Sequence, residues 1–189
     1  METNNKDSVD GIESGLAITR GYRSRAELLL RVLAFALTLT ATVVLGVDKQ
    51  TKVISIKIVD TLPAVNLPVV AKWHYLSAFV YFVVANAIAC SYSAISIVLS
   101  LGSKKGWGPV ISVLDLFMVA LLFSGNGAAA AIGLLGSKGN SHVRWNKVCN
   151  MFSRFCNQVA ASAALSLVGS VVFLLIVVVA TLRLHKRSQ

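Results

Sequence analysis

Charge is scarce in this chain: 14% of its 189 residues are Asp, Glu, Lys or Arg, against about 25% in an ordinary soluble domain. Acidic residues are the scarcest, 8 against 18 basic ones, giving a formal charge of +10. With 56% apolar residues and so few solvating groups, neither a cytosolic globule nor an expanded disordered chain fits, because the apolar excess must face something other than water. The 3 Cys exclude a disulfide-dense secreted scaffold, and 3 Pro with 13 unpatterned Gly exclude collagen-like and linker-like chains. Histidine is equally sparse: His74, His142 and His185 lie far apart and outside the apolar runs. No metal-ligand spacing results, and neither metal nor cofactor is expected. An Asn-x-Ser/Thr acceptor is missing altogether, so nothing marks a glycosylated surface. The segment GLLGSKGN, residues 133–140, lacks the order of a phosphate-binding loop and follows an apolar run instead of a strand.

What the chain does have is four long apolar runs, 28–47, 75–101, 110–135 and 159–182. Each reaches the roughly 20 residues that a helix needs to cross a hydrocarbon core of about 30 Å. Spanning β-strands are shorter and alternate, and backbone in lipid leaves only helices as the other choice. The expected fold is therefore all-α, one domain, a four-transmembrane-helix bundle over 28–182. Residues 1–27 form an N-terminal tail, mobile to about residue 20, and 183–189 a C-terminal one. The first run begins too late and runs too long for a signal peptide core. In the first connection, VISIKIV (residues 53–59) alternates as a short strand or an interfacial segment would, with Pro63 and Pro68 ending it. The second connection, GSKKGWGP at 102–109, reads as a tight turn with Pro at the start of the next helix. The third, 136–157, carries Trp145, Cys149 and Cys156.

Four crossings put both termini and the second connection on one face. Near the membrane that face has Arg20, Arg23, Arg25, Lys104, Lys105, Arg183, Lys186 and Arg187; the other has Lys49, Lys52, Lys57, Lys72, Lys138, Arg144, Lys147 and Arg154. The counts are equal, so the positive-inside rule is silent on orientation. The basic residues flank apolar runs and build no aromatic-interleaved stripe, which disfavours a nucleic-acid partner and favours the lipid bilayer. Cysteine placement points further: a Cys149 to Cys156 pair suits an oxidising face, with the termini in the cytoplasm. On one straight helix their Cα atoms would be about 10 Å apart, beyond the 7 Å limit for a bridge. A disulfide there requires a bend, and two free buried thiols are the alternative.

Clear of the run ends, the apolar runs hold only two charges, Arg31 in the first and Asp115 in the third. Each costs about 2.5–3.5 kcal/mol at mid-helix, and their signs are opposite. Counted from the starts of their runs, Arg31 lies about 4.5 Å in and Asp115 about 7.5 Å, on the same side. A two-point ion pair clamping the first helix to the third is the preferred reading. A proton or ion relay would need further ionisable groups, and snorkelling of Arg31 would strand Asp115. Small residues at four-residue spacing, Gly125, Ala129, Gly133 and Ser137 in the third run and Ser162, Ser166 and Ser170 in the fourth, mark packing faces within the bundle or between protomers. Asn86 and Asn126 are candidates for hydrogen bonds between helices, or for a pore lining. Gly125 to Gly127 is the place where the third helix would break, as helices of transporters do.

These residues together resemble the CASP-like family, relatives of the Casparian strip membrane domain proteins and, more distantly, of MARVEL-type four-helix proteins. The resemblance covers about residues 25–182. It rests on LLLRVLAFALTLTATVV with Arg31, ISVLDLFMVALLFSGNGAAAAIGLLG with Asp115, FVYFVVANAIACSYS, and GNSHVRWNKVCNMFSRFCNQV with Trp145, Cys149 and Cys156. The last string is most similar to the first CASP-like subfamily. The resemblance implies a plasma-membrane protein with cytoplasmic termini that self-associates or pairs with relatives, as homodimer or heterodimer, into a membrane scaffold. It also implies recruitment of secreted cell-wall-modifying enzymes, and it maps the family's paired Arg and Asp onto Arg31 and Asp115. The first loop, DTLPAVNLPVVAKWHY at residues 60–75, departs from the acidic and aromatic signature of the strip-forming members. The expected function is thus non-enzymatic; the alternatives are a small channel or transporter subunit, or an accessory subunit of another membrane protein.

Overall fold

The computed structural model describes residues 3–56, 65–101, 108–139 and 147–188. Four helices, α1 (Thr3–Gly46), α2 (Ser77–Leu101), α3 (Gly108–Lys138) and α4 (Ser153–Ser188), account for most of them. A hairpin of β1 (Lys49–Ile56) and β2 (Val65–Lys72) stands between α1 and α2. Within these helices four segments, Arg25–Gly46, Ser77–Leu101, Val110–Lys138 and Ser153–Arg183, are long and apolar enough to span a membrane. The bundle covers 28% to 39% of each. Their outer surfaces stay apolar, with Leu29, Phe117 and Val168 more than half exposed, which is the surface that hydrocarbon, and not water, can solvate.

Several boundaries differ from the sequence expectation. Helical backbone begins at Thr3, so the segment read as a tail continues α1. No proline interrupts residues 1–46, and extending a nucleated helix costs little. At the other end α4 continues to Ser188, through the residues read as the C-terminal tail. Helix α3 runs unbroken through Gly125 and Gly127, because flanking helical residues hold a lone glycine helical at a cost of only about 1 kcal/mol. Gly139, at φ 71°, closes α3: its N–H reaches the Leu135 carbonyl at 2.9 Å, and glycine adopts that left-handed conformation without strain.

The expected strand begins earlier and has a partner. β1 and β2 pair antiparallel from Lys49 opposite Lys72 to Ile56 opposite Val65, with Pro68 inside β2 opposite Val53. Pro68 does not end the strand, since a two-stranded ribbon has an open edge where a missing N–H is harmless. Pro63, Trp145 and the turn at 102–107 lie outside the described residues.

Each helix packs against two neighbours: α1 against α2 and α4, α3 against α2 and α4. α1 and α3 therefore stand on a diagonal. The interior is layered along the bundle axis. Toward the hairpin lies an apolar cluster of Ala41, Leu45, Phe79, Phe82, Ala129, Phe152, Phe155 and Val159. Toward the termini lies a second, of Ala34, Ala89, Val119, Leu122, Val172, Phe173 and Ile176. By chain position a polar layer separates them, with Thr38, Asn86, Asn126, Ser166 and Ser170 all buried.

Candidate functional site

Below the second apolar cluster, the terminus-bearing end of the bundle closes on an ionic cluster. Arg31 on α1 presents its guanidinium fork to Asp115 on α3, Nη1 to Oδ1 at 3.1 Å and Nη2 to Oδ2 at 2.9 Å. Arg31 is 3% exposed and Asp115 0%. The pair crosses the diagonal, so it joins two helices that do not pack side by side. With the guanidinium this enclosed, Arg31 does not snorkel.

Further side chains complete the cluster. Arg31 Nη1 also donates to Ser96 Oγ at 3.0 Å, and that hydroxyl donates to the Ser93 carbonyl at 3.1 Å. Tyr92 on α2 donates to Asp115 Oδ1 at 2.8 Å, with the Ile111 carbonyl 3.0 Å away. Glu27, one turn before Arg31, accepts from Nη2 at 3.4 Å and pairs through its other oxygen with Arg183 on α4. Two cations and two carboxylates make the group neutral, and it draws on all four helices. Burial of an unpaired ion costs several kcal/mol, whereas a fork-to-carboxylate contact with its remaining lone pairs used offsets most of that penalty.

Sequence reasoning did not single out Glu27, Tyr92, Ser96 or the pairing of Arg183. The signal for Glu27 is its spacing of four from Arg31, which places both on one helix face. It was hidden because Glu27 precedes the apolar run. Tyr92 and Ser96 show the same spacing on α2, but hydroxyls in apolar helices attract little notice.

The packing residues divide. A Cβ on Gly125 would lie 3.4 Å from Ala85 Cβ, so α3 and α2 approach closely there. Ala129 is buried, but Gly133 has no heavy atom within 4 Å of such a Cβ, and Ser137 is exposed and bonded to its own helix. The expected ridge on α3 therefore packs only along Gly125 and Ala129. On α4, Ser162, Ser166 and Ser170 are all 0% exposed. Asn126 Nδ2 lies 3.0 Å from Ser166 Oγ and 3.3 Å from Ser170 Oγ, an interhelical contact. Asn86 differs: its Nδ2 donates to the Phe82 carbonyl of its own helix and its Oδ1 has no partner.

At the hairpin end, Cys149 and Cys156 are bonded, with Cα atoms 5.6 Å apart. The bend comes from a 3-10 turn at Val148–Asn150 ahead of α4. Gln50 Oε1 accepts from the Phe155 N–H at 3.0 Å, tying β1 to a first-turn amide that α4 leaves unsatisfied. Asp48, 2% exposed, finds no hydrogen-bond partner for either oxygen. Burial pushes its carboxyl up to about 6, against a smaller opposing pull from Arg154. Among the described residues no group of three His, Cys, Asp or Glu side chains is arranged to hold a metal.

A bundle of four apolar helices, cross-tied by a neutral buried ionic cluster and topped by a hairpin, defines a multi-pass membrane protein. The Casparian strip membrane protein domain matches residues 21–172, and the chain belongs to that family. It is 63% identical to CASP-like protein 1E1 of Populus trichocarpa, with all of both chains covered. It is 60% identical to CASP-like protein 1E1 of Ricinus communis over the whole of both chains. Against CASP-like protein 1E2 of Vitis vinifera it is 57% identical over 99% of this chain and 100% of the relative. No solved structure matches.

Proposed function

We propose that this protein is a non-enzymatic scaffold of the plasma membrane. In this reading both termini are cytoplasmic, and the protein associates with itself and with relatives to organise a local membrane domain. Its hairpin face then meets secreted wall-modifying enzymes. One observation carries the reading: the two charges within the membrane-spanning runs, Arg31 and Asp115, are spent on one another and almost wholly enclosed, with Glu27 and Arg183 paired beside them. An interior so arranged holds shape, leaving the outward apolar faces to do the work of association. The Cys149 to Cys156 bond supports an oxidising environment for the hairpin face and hence the orientation. A buried polar layer that includes the unpartnered Asn86 Oδ1, with the unpartnered Ser93 Oγ nearer the ionic cluster, is the feature a channel reading would use.

Fluorescence recovery after photobleaching of the tagged full-length protein in its native membrane tests the proposal. Slow recovery in immobile patches is the expected result. Fast, complete recovery, together with ionic conductance of the purified protein in liposomes, would replace the scaffold by a channel subunit.

A further inference from the structure

A groove of about 670 Å³ opens between α3 and α4 at the hairpin end of the bundle, within the size range of ligand pockets. Part of its lining is small and apolar, Ala129, Ala130 and Gly133 on α3 and Ala160 and Ala163 on α4, beside larger side chains such as Phe155. Small side chains on both helices leave the space that larger ones would fill. Cys149 and Cys156 also line it, so the bonded 3-10 turn roofs one end. The lining on α3 runs from Ala129 to Ser137, about 12 Å along a helix, close to the roughly 15 Å acyl layer of one leaflet. Both walls belong to membrane-spanning segments, so the surrounding medium is lipid.

Two basic residues adjoin the lining in the chain and select the headgroup. Lys138 follows the lining residue Ser137, Lys147 precedes the lining residue Val148, and both lysines are exposed. The acid described at this end, Asp48, is buried and faces Arg154. We propose that the groove holds one acyl chain of a membrane phospholipid, with the lipid phosphate held by Lys138 and Lys147. The site stands whether or not the protein organises a membrane domain. A second copy of the chain fits less well, because a helix needs an open seam along its length and this groove is roofed at one end. An acyl chain gains little by exchanging bilayer neighbours for protein ones, since lipid tails are as apolar as leucine. Preference therefore comes from the phosphate, roughly fivefold per lysine.

Native mass spectrometry of the detergent-purified full-length protein, titrated with dioleoylphosphatidylglycerol or with phosphate-free dioleoylglycerol, tests the site. One phospholipid per protomer is expected, retained at least tenfold better than the diacylglycerol. Gly133→Phe should abolish retention and Gly127→Phe should not; added side chains at both positions start in open space, and only Gly133 lines the groove. Lys138→Gln with Lys147→Gln should erase the preference over diacylglycerol. Equal retention by the Gly133 and Gly127 variants, or no preference for phosphate in the unaltered protein, would overturn the assignment. So would loss of a cross-linked dimer on Gly133→Phe with lipid retention intact.

Discussion

At the scale of single residues, Arg31 and Asp115 make the plainest case for coupling. Asp115→Ala leaves a guanidinium enclosed without its main acceptor and should lower stability by about 3–5 kcal/mol. The double substitution with Arg31→Ala should recover part of that loss, because it removes both ions. Thermal unfolding of the four proteins of this cycle in detergent gives the coupling directly, and additive losses would mean the pair is not coupled. Asp48 makes a second case, with the opposite sign from an ordinary paired carboxylate. Its folded-state value of about 6 lies above the usual 3.8, so the folded protein binds the proton more tightly than the unfolded one. Its stabilising contribution is present below about pH 4 and is lost as pH rises through about 6. Asp48→Asn should flatten that part of the unfolding profile while leaving the acid limb of the other carboxylates unchanged.

Among elements, α3 offers a contrast within one helix. Ala129 is buried against the hairpin-side cluster while Gly133 faces open space. Ala129→Leu should overpack the bundle and cost about 1–3 kcal/mol, whereas Gly133→Leu should leave the unfolding temperature nearly unchanged. Equal effects would mean that α3 is rotated from the orientation described. The bonded turn before α4 closes a loop with a sequence separation of 7, so replacing both cysteines by serine should cost about 2 kcal/mol. Faster hydrogen exchange at the first turn of α4 would accompany it. The helices and the two intramembrane charges were legible in the sequence for one reason: lipid penalises polarity, so long apolar runs and the two charges within them stand out. The hairpin was half legible, because alternation marks a strand but nothing in residues 53–59 names its partner or excludes Pro68 from it. Glu27 and Arg183 were hidden by position, lying at run ends where charge is ordinary and only the folded bundle brings them together. The groove was illegible, since glycine and alanine read equally as packing surface and as the space that packing leaves.

For the molecule as a whole, the bundle is a stack in which apolar and polar layers alternate between the hairpin and the ionic cluster. Such a stack fixes the vertical register of four helices whose outer faces are interchangeable in lipid, because sliding one by a turn would set buried amides and ions against apolar neighbours. Tags on the two ends should be reached from the same side of the membrane, as four crossings require; labelling from opposite sides would remove one span. The partner that Arg31 needs on α3 arrives 84 residues later in the chain. During synthesis the first span therefore enters the bilayer with only Glu27, one turn away, to balance its cation, and waits for two more helices before that charge is enclosed. A chain that stalls after α2 thus displays an arginine to lipid. That makes half-built protein physically distinguishable from finished protein.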